Sequence, residues 1–411
     1  MSEKRKDNRG RILKTGESQR KSDGRYQFRY NDRNGKRKIV YALTLQELRE
    51  KEKYITRDLD DNIDIEKSQM TLNELFQMYM ETKNNLKDTT RLNYINMWKH
   101  NITNSWIGNK RIHDIKKIDI KKLYSEFSKR GLSGNTIKYL DTIISASLQL
   151  AVDSDIIRKN PTKNCAKEYL GDEKERYSLT IEQQKNFLDF ILHNRIYNVY
   201  YPMIVYMLGT GCRVSEMAGL SWSENVELKK KTIHIDHQLI YKNIDGKTKF
   251  HIISPKTDAG KRNIPMTDAV YHALLEQKKQ CMENGNFCKI EVDGYDDFVF
   301  TTKGGKPLSA SAVNFILENI VNAYNKLEVI KAENEKRSTC PLPHISSHIL
   351  RHTACTRMAE AGIDLKSLQY IMGHSSVEVT MAIYNHVDMV RVTNEMKKAE
   401  GVIHTNGVKV V

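Results

Sequence analysis

No apolar run in the chain approaches the ~18 residues a helix needs to cross a bilayer, and the N-terminus is polar throughout. Neither a membrane span nor a secretory signal is expected. The six cysteines, at positions 165, 212, 281, 288, 340 and 355, form no CxxC pair and no Cys/His cluster at zinc spacing. A structural metal is therefore not expected, and a reduced cytoplasmic protein fits. A Walker-type nucleotide loop is missing, and no internal repeat stands out. Acidic residues are also in deficit, with 51 Asp and Glu against 66 Lys and Arg, which gives net charge +15 on 411 residues. That bias favours a polyanionic partner, and the length accommodates two or three domains.

Much of the excess lies at the front: residues 1–43 carry fourteen Lys and Arg against five Asp and Glu. Arg25 to Tyr30 alternates polar and aromatic residues, Asn34-Gly35 signals a tight turn, and Lys36 to Tyr41 returns as a second strand. Alternation places Arg25, Gln27 and Arg29 on one face, opposite three aromatic rings. Thr44 and Glu47 read as a capping box for a helix carrying Leu45, Leu48, Ile55 and Leu59, which gives those rings something to pack on. The exposed face, with Lys36 and Lys38 beside it, is either a solvated surface or a DNA contact; small sheets can read a major groove.

Thr71 and Glu74 read as a second capping box, and four amphipathic helices are expected from near Thr71, Asp88, Asp119 and Ser133. Leu92, Ile95 and Trp98 are placed on the apolar face of the second. These helices form a compact bundle ending at Asn160-Pro161, followed by a charged linker from Glu168 to Arg176. The expected division is therefore 1–65, 70–165, a linker at 166–176, 177–395 and a tail at 396–411. In the third part, helices are expected from Thr180, across Tyr200 to Leu208, and from Val214 to Leu220. Strands are expected at Lys231–Tyr241, Phe250–Pro255 and Lys261–Pro265, with Asp245-Gly246 turning between the first two, and helices from Ser309 to Glu400.

Several positions here carry charge or proton-transfer capacity. Arg213 follows the turn Gly209-Thr210-Gly211, and Glu216 stands three residues later on the same helical face. The pair is an ordinary i,i+3 ion pair or a rigid mount for a guanidinium fork aimed at phosphate oxygens. His348 and Arg351 share a helix face one turn apart, with Ser346 or Ser347 as cap, while His352 points elsewhere. Gly373 reads as a helix C-cap, and Ser375 with Glu378 as a capping box for the next helix, which places His374 at a positive helix end. Tyr384 lies on that helix.

The order of glycine turn and Arg213, hairpin Lys256, His348-x-x-Arg351, Gly373-His374 and Tyr384 resembles the tyrosine recombinase (phage integrase) family over roughly residues 177–390. Gly-His-Ser-Ser and the Ile-Tyr-Asn-His-Val around Tyr384 resemble most the integrases of conjugative transposons. The resemblance implies a multidomain, mainly α fold with small β-sheets. It comprises a three-stranded sheet plus helix that binds arm-type DNA sites, a helical-bundle core-binding domain, and a mixed α/β catalytic domain. It further implies that Tyr384 attacks the scissile phosphate and is joined to its 3′ side, while Arg213, Arg351 and His374 bind the nonbridging oxygens. Lys256 protonates the leaving 5′ oxygen, with Lys261 in the same turn as its rival, and His348 helps take the tyrosine proton. No metal or other cofactor is implied. The implied partners are double-stranded DNA at the core and arm sites of a mobile element, three further copies of the chain in a tetramer, and an excisionase or DNA-bending protein. Tail segments dock on a neighbour, and strands exchange in pairs through a Holliday junction. Tyr384 stands ten residues after His374, one more than the commonest family spacing, and Ile349 stands where many relatives carry a small or polar residue. A type IB topoisomerase and a silent DNA-binding regulator on the same scaffold are the competing readings.

Overall fold

The computed structural model describes residues 5–32, 35–170, 177–243, 247–255, 257–384 and 396, the last three of the helix ending at 384 by backbone alone. It divides into two compact units, with the boundary between Lys174 and Glu175.

The first unit opens with strands β1 (Glu17–Gln19), β2 (Tyr26–Asn31) and β3 (Arg37–Ala42), antiparallel in the order β1-β2-β3. Helix α1 (Leu45–Asp60) covers one face, burying Leu45, Leu48 and Ile55 against Tyr26 and Phe28. Thr44 caps it as expected, but the Glu47 carboxylate accepts from the Leu43 amide, one residue further back than a closed capping box requires. Asn34 lies outside the described residues.

The polar stretch that follows is not a loose tether. Ile63 is buried, the Asp64 amide donates to the Asp155 carbonyl, and Arg158 bridges Asp58 and Asp61. Four helices follow, α2 (Leu72–Glu81), α3 (Asp88–Asn101), α4 (Lys117–Lys129) and α5 (Gly134–Asp153). Thr71 and Glu74 close a capping box on α2, and Ser133 caps α5. Two expectations need correcting. Helix α4 begins at Lys117, and Asp119 is its third residue, accepting from the Lys116 amide. Helix α3 buries only Trp98, which stacks on Phe76 at 4.0 Å, while Ile95 is exposed and Leu92 half-buried. The expected linker is also partly anchored, because Cys165 and Ala166 join the helical core and Tyr169 packs edge-on against Tyr124. Residues 171–176 lie outside the described residues.

The second unit is built around α7 (Tyr201–Thr210), whose Met203, Ile204, Tyr206 and Met207 are all buried. Helix α6 (Ile181–His193) precedes it, capped by Thr180, and the short α8 (Val214–Ala218) follows. The expected strand Lys231–Tyr241 is two strands in two sheets. Strands β4 (Val226–Glu227), β5 (Thr232–Ile235) and β8 (Arg262–Pro265) form one antiparallel sheet, and β6 (Gln238–Asn243) pairs with β7 (Thr248–Ile253) in a separate hairpin. The break falls at His237, buried with Nε2 2.7 Å from the Gly219 carbonyl oxygen, where inward–outward alternation is lost. Asn243 pairs with Thr248 across the turn expected at Asp245-Gly246, which itself lies outside the described residues. Helix α9 (Asp268–Asn284) was not expected; its apolar stripe is thin, with Val270, Ala273, Leu274 and Cys281 buried. Helices α10 (Ala310–Glu335), α11 (Ser347–Glu360), α12 (Leu365–Met372) and α13 (Val377–Tyr384) complete the unit. The tail expected at 396–411 lies outside the described residues apart from Met396, which is exposed.

Candidate active site

Two helix ends make the framework. Helix α7 stops at Gly211 with φ 62° and α12 stops at Gly373 with φ 61°, the left-handed conformation that glycine adopts without strain. Space is equally restrictive, since a Cβ would lie 2.6 Å from Met372 Sδ at Gly211 and 2.9 Å from Arg262 Nη1 at Gly373. The end of α12 then offers three successive carbonyls that no helical amide uses. Ile371 O accepts from Arg262 Nε at 2.6 Å, Met372 O from Arg351 Nη2 at 2.5 Å, and Gly373 O from Arg213 Nη2 at 2.8 Å. This is the negative end of the helix dipole, so it suits cations both by hydrogen bonding and by field. Arg351 is fastened a second time, to the Gly211 carbonyl at 2.6 Å.

Glu216 fixes the same cluster from the opposite side. Only 2% exposed, it accepts from the Arg213 amide at 2.9 Å and Nη1 at 2.7 Å, and from Arg262 Nη2 at 2.8 Å and Nη1 at 3.2 Å. Burial works to raise its carboxyl group, but the Arg262 hydrogen bonds and charge outweigh that, so the net shift is downward. Two guanidiniums bond this one carboxylate, and the third, Arg351, feels only its charge. The imbalance shows at Arg351, where burial and then the neighbouring Arg213 charge bring the guanidinium down to about 10. His374 responds in the same direction: burial first, then Arg351 and Arg213, lower it to about 4. Its ring is therefore neutral near pH 7, with Nδ1 2.9 Å from Thr380 Oγ1. Arg213, its side chain 33% exposed, is the guanidinium that opens to solvent. The result is a fixed positive cluster suited to an oxyanion, with its cations already held in place.

Of the residues expected from sequence, Arg213, Glu216, Arg351 and His374 are brought together. His348 stands exposed on α11, one turn before Arg351. Lys256 falls in the chain between β7 and β8 but lies outside the described residues; its rival Lys261, the residue before β8, is exposed. Tyr384 is the last residue of α13, with its side chain outside the described residues. Ser376 rather than Ser375 accepts from the Glu378 amide, because α13 begins one residue later than the expected box implies. His374 is accordingly held by Thr380 within the helix, not by the amides at its start. Sequence reasoning missed two residues, Arg262 and Thr380. For Arg262 a signal existed: the period of two in Arg262-Asn263-Ile264-Pro265 puts it on the inward face with Ile264.

The basic sheet needs a similar correction. Arg25 and Arg29 are exposed, but Gln27 is buried, its Nε2 donating to Ser18 Oγ at 2.8 Å. Alternation along β3 sends Arg37, Ile39 and Tyr41 outward, and turns Lys38 toward the opposite face, where it pairs with Glu66 at 3.1 Å. Lys36 is exposed in the turn. The outer face thus carries Arg29 beside Ile39, and Arg20 over the Tyr41 ring at 5.4 Å.

A helical second unit with small sheets, an arginine cluster and a C-terminal tyrosine helix define a catalytic domain of the phosphodiester strand-transfer class. The family model described as the phage integrase family matches residues 178–391, that for the DNA binding domain of tn916 integrase matches 1–59, and that for the phage integrase N-terminal SAM-like domain matches 71–128. The chain is 35% identical to the transposase from transposon Tn916 of Enterococcus faecalis, over 97% of both chains. It is 25% identical to a XerC-like tyrosine recombinase of Caldanaerobacter subterraneus, over 89% of this chain and 92% of that one. Among solved structures, the Tn1549 transposon integrase in complex with a circular intermediate DNA superposes with TM-score 0.70 at 30% identity, covering 80% of this chain and 99% of that one. The chain belongs to the phage integrase family and is a tyrosine-type site-specific DNA recombinase. Among the described residues no helix is long and apolar enough to cross a membrane.

Proposed function

We propose that this recombinase integrates and excises a mobile element of the conjugative-transposon kind, with Tyr384 as nucleophile. The Tyr384 oxygen attacks the scissile phosphorus, the bond to the 5′ oxygen breaks, and a 3′-phosphotyrosine remains. Arg213, Arg351 and His374 hold the nonbridging oxygens as charge builds on them. His348 helps take the phenolic proton, and Lys256 gives a proton to the departing 5′ oxygen. The freed 5′ hydroxyl of a partner duplex then attacks the phosphotyrosine, which restores the tyrosine and joins the exchanged strand. Because one ester replaces another at each step, the exchange is nearly balanced in energy.

The observation that carries this reading is the convergence of Arg213, Arg351 and Arg262 on successive carbonyls of one helix end, beside His374. Such a cluster is expensive to bury without an anionic ligand in view. For the remaining parts, residues 1–65 are read as contacting arm sites, 70–165 and 177–395 as clamping core sites, and 396–411 as docking on a neighbour. Four copies exchange strands in pairs through a Holliday junction, in the cytoplasm, with an excisionase or DNA-bending protein setting direction. The test is a nicked duplex bearing an element end, incubated with the full chain and denatured in detergent. A covalent adduct is expected with the wild-type chain and none with Tyr384→Phe; an adduct that persists in Tyr384→Phe refutes the nucleophile.

A further inference from the structure

A neutral imidazole can donate from only one of its nitrogens, and the form that donates from Nε2 is favoured when the group at Nδ1 can donate to it. At His374 that partner is Thr380, 0% exposed on α13, with Oγ1 2.9 Å from Nδ1. We infer that Thr380 is a positioning residue for strand cleavage: its hydroxyl donates to Nδ1 of His374, keeps the ring proton on Nε2, and thereby aims a hydrogen-bond donor at the scissile phosphate. The inference rests on the reading that His374 binds that phosphate.

The surroundings explain why a tautomer lock is needed. Acting on the ring are Arg351 from α11, Arg213 at the start of α8, Glu216 on it, and Arg262 from β8, three cations against one carboxylate. They oppose a second proton on the ring, consistent with its depression to about 4. An imidazolium would donate from both nitrogens and need no help. The neutral ring has two forms, and the one with its proton on Nδ1 would turn the Nε2 lone pair toward a phosphate oxygen, which is repulsive. The Thr380 hydroxyl can turn to accept from Nδ1–H or to donate to Nδ1; once a phosphate accepts from Nε2–H, only the donating orientation is left, and it stabilises the Nε2–H form over the other.

Connectivity adds a consequence. Thr380 lies on the helix that ends at Tyr384, four residues before it. If α13 leaves its seat, Thr380 leaves His374, so delivery of the nucleophile and orientation of the phosphate donor become one event. Cleavage with a disengaged helix is then suppressed twice.

The test uses the full chain with its thirteen histidines labelled with ¹⁵N in the ring, His374 being identified by its absence from His374→Gln. The Nε2–H tautomer is expected in the wild-type chain and in Thr380→Ser, and mixed tautomers in Thr380→Val. Cleavage of a nicked duplex bearing an element end is followed in parallel from about pH 8 to about pH 5. Thr380→Val should be about tenfold slower at the upper end, less than the ~10²-fold expected for loss of an oxyanion donor outright. Its deficit relative to wild type should shrink as pH falls and the bound phosphate helps the ring take its second proton, while Thr380→Ser stays near wild type. A wild-type ring protonated on Nδ1, or parallel pH profiles for Thr380→Val and wild type, overturns the inference. Should Thr380→Val not fold, the wild-type tautomer decides alone. Wild-type cleavage by His374→Gln would instead refute the assignment of His374 to the phosphate, so the two failures are distinct.

Discussion

Arg262 carries no charge to the outside, yet it decides how well the exposed cation is held. Its guanidinium takes one edge of Glu216, leaving the other for Arg213, and its Nε ties the arrangement to the end of α12. Arg262→Met would leave Glu216 partly unpaired in a site with almost no solvent, and breaking one partner of a buried pair costs about 3–5 kcal/mol. Urea unfolding should register that loss, and Glu216→Gln combined with Arg262→Met should cost less than the two single changes summed, because the partners share one interaction. Strict additivity would remove Arg262 from the cluster. Arg351→Ala touches the ligand side and should lower adduct formation by ~10²-fold or more. Arg351→Lys should recover little, since an ammonium cannot span the Gly211 and Met372 carbonyls while offering a planar edge. The histidine adds a pH dependence. With its folded value near 4 and an ordinary value of 6.5, His374 binds a proton more readily when unfolded. Its neutral form is native above pH 6.5, and stability is lost as pH falls from there toward 4. The slope stays below the one-proton limit of about 1.4 kcal/mol per pH unit, because solvent screens a partly exposed ring. Measured by denaturant midpoints, His374→Gln should show a shallower acid loss than the wild-type chain.

Helix ends, more than helix bodies, place the reactive groups. Gly373 terminates α12 with positive φ, and a Cβ there meets Arg262 Nη1 at 2.9 Å and the Ala259 carbonyl oxygen at 3.1 Å. Gly373→Ala combines a left-handed residue, about 1–2 kcal/mol, with displacement of a guanidinium that braces Glu216. It should therefore lower both the urea midpoint and the cleavage rate, whereas Gly285→Ala, at a C-cap with open space around it, should carry only the backbone cost. An equal effect of both on cleavage would contradict this. The same helix ends explain what the sequence made legible. Thr71, Ser133, Thr180 and Ser309 announce their helices because a capping oxygen works within three residues of its amide. Gly211 and Gly373 announce theirs for a similarly local reason. Helix α9 went unseen because only Val270, Ala273, Leu274 and Cys281 of its 17 residues are buried, too thin a stripe to mark a helical period. The β5–β6 break was hidden because His237 gains its partner, Gly219, only after folding. Arg262 and Glu216 are 46 positions apart, so no local pattern links them. The ordered cations and tyrosine were legible through the family pattern; the carbonyls and the hydroxyl that hold them were not, because tertiary packing supplies them.

Charge at the scale of the chain, +15 overall, sets how strongly DNA is held before any base is read. Each phosphate neutralised by a side chain contributes ~0.9 to the slope of log affinity against log salt. The outer face of the N-terminal sheet carries Arg29 and Arg37 in the open, the latter one strand position from Lys38, whose ammonium is turned inward to Glu66. If that face lies against an arm-site duplex, Arg29→Ala and Arg37→Ala should each reduce the slope by about one, read from binding between about 50 and 200 mM salt. Lys38→Ala should leave it nearly unchanged, although the three residues look equally basic in sequence. Adduct formation on a nicked core-site duplex should survive all three changes, because Glu216, Arg262 and the end of α12 belong to the second unit. A Lys38→Ala slope that falls as far as that of Arg37→Ala would mean that the Glu66 pair opens on DNA and the inner edge of the sheet makes the contact instead.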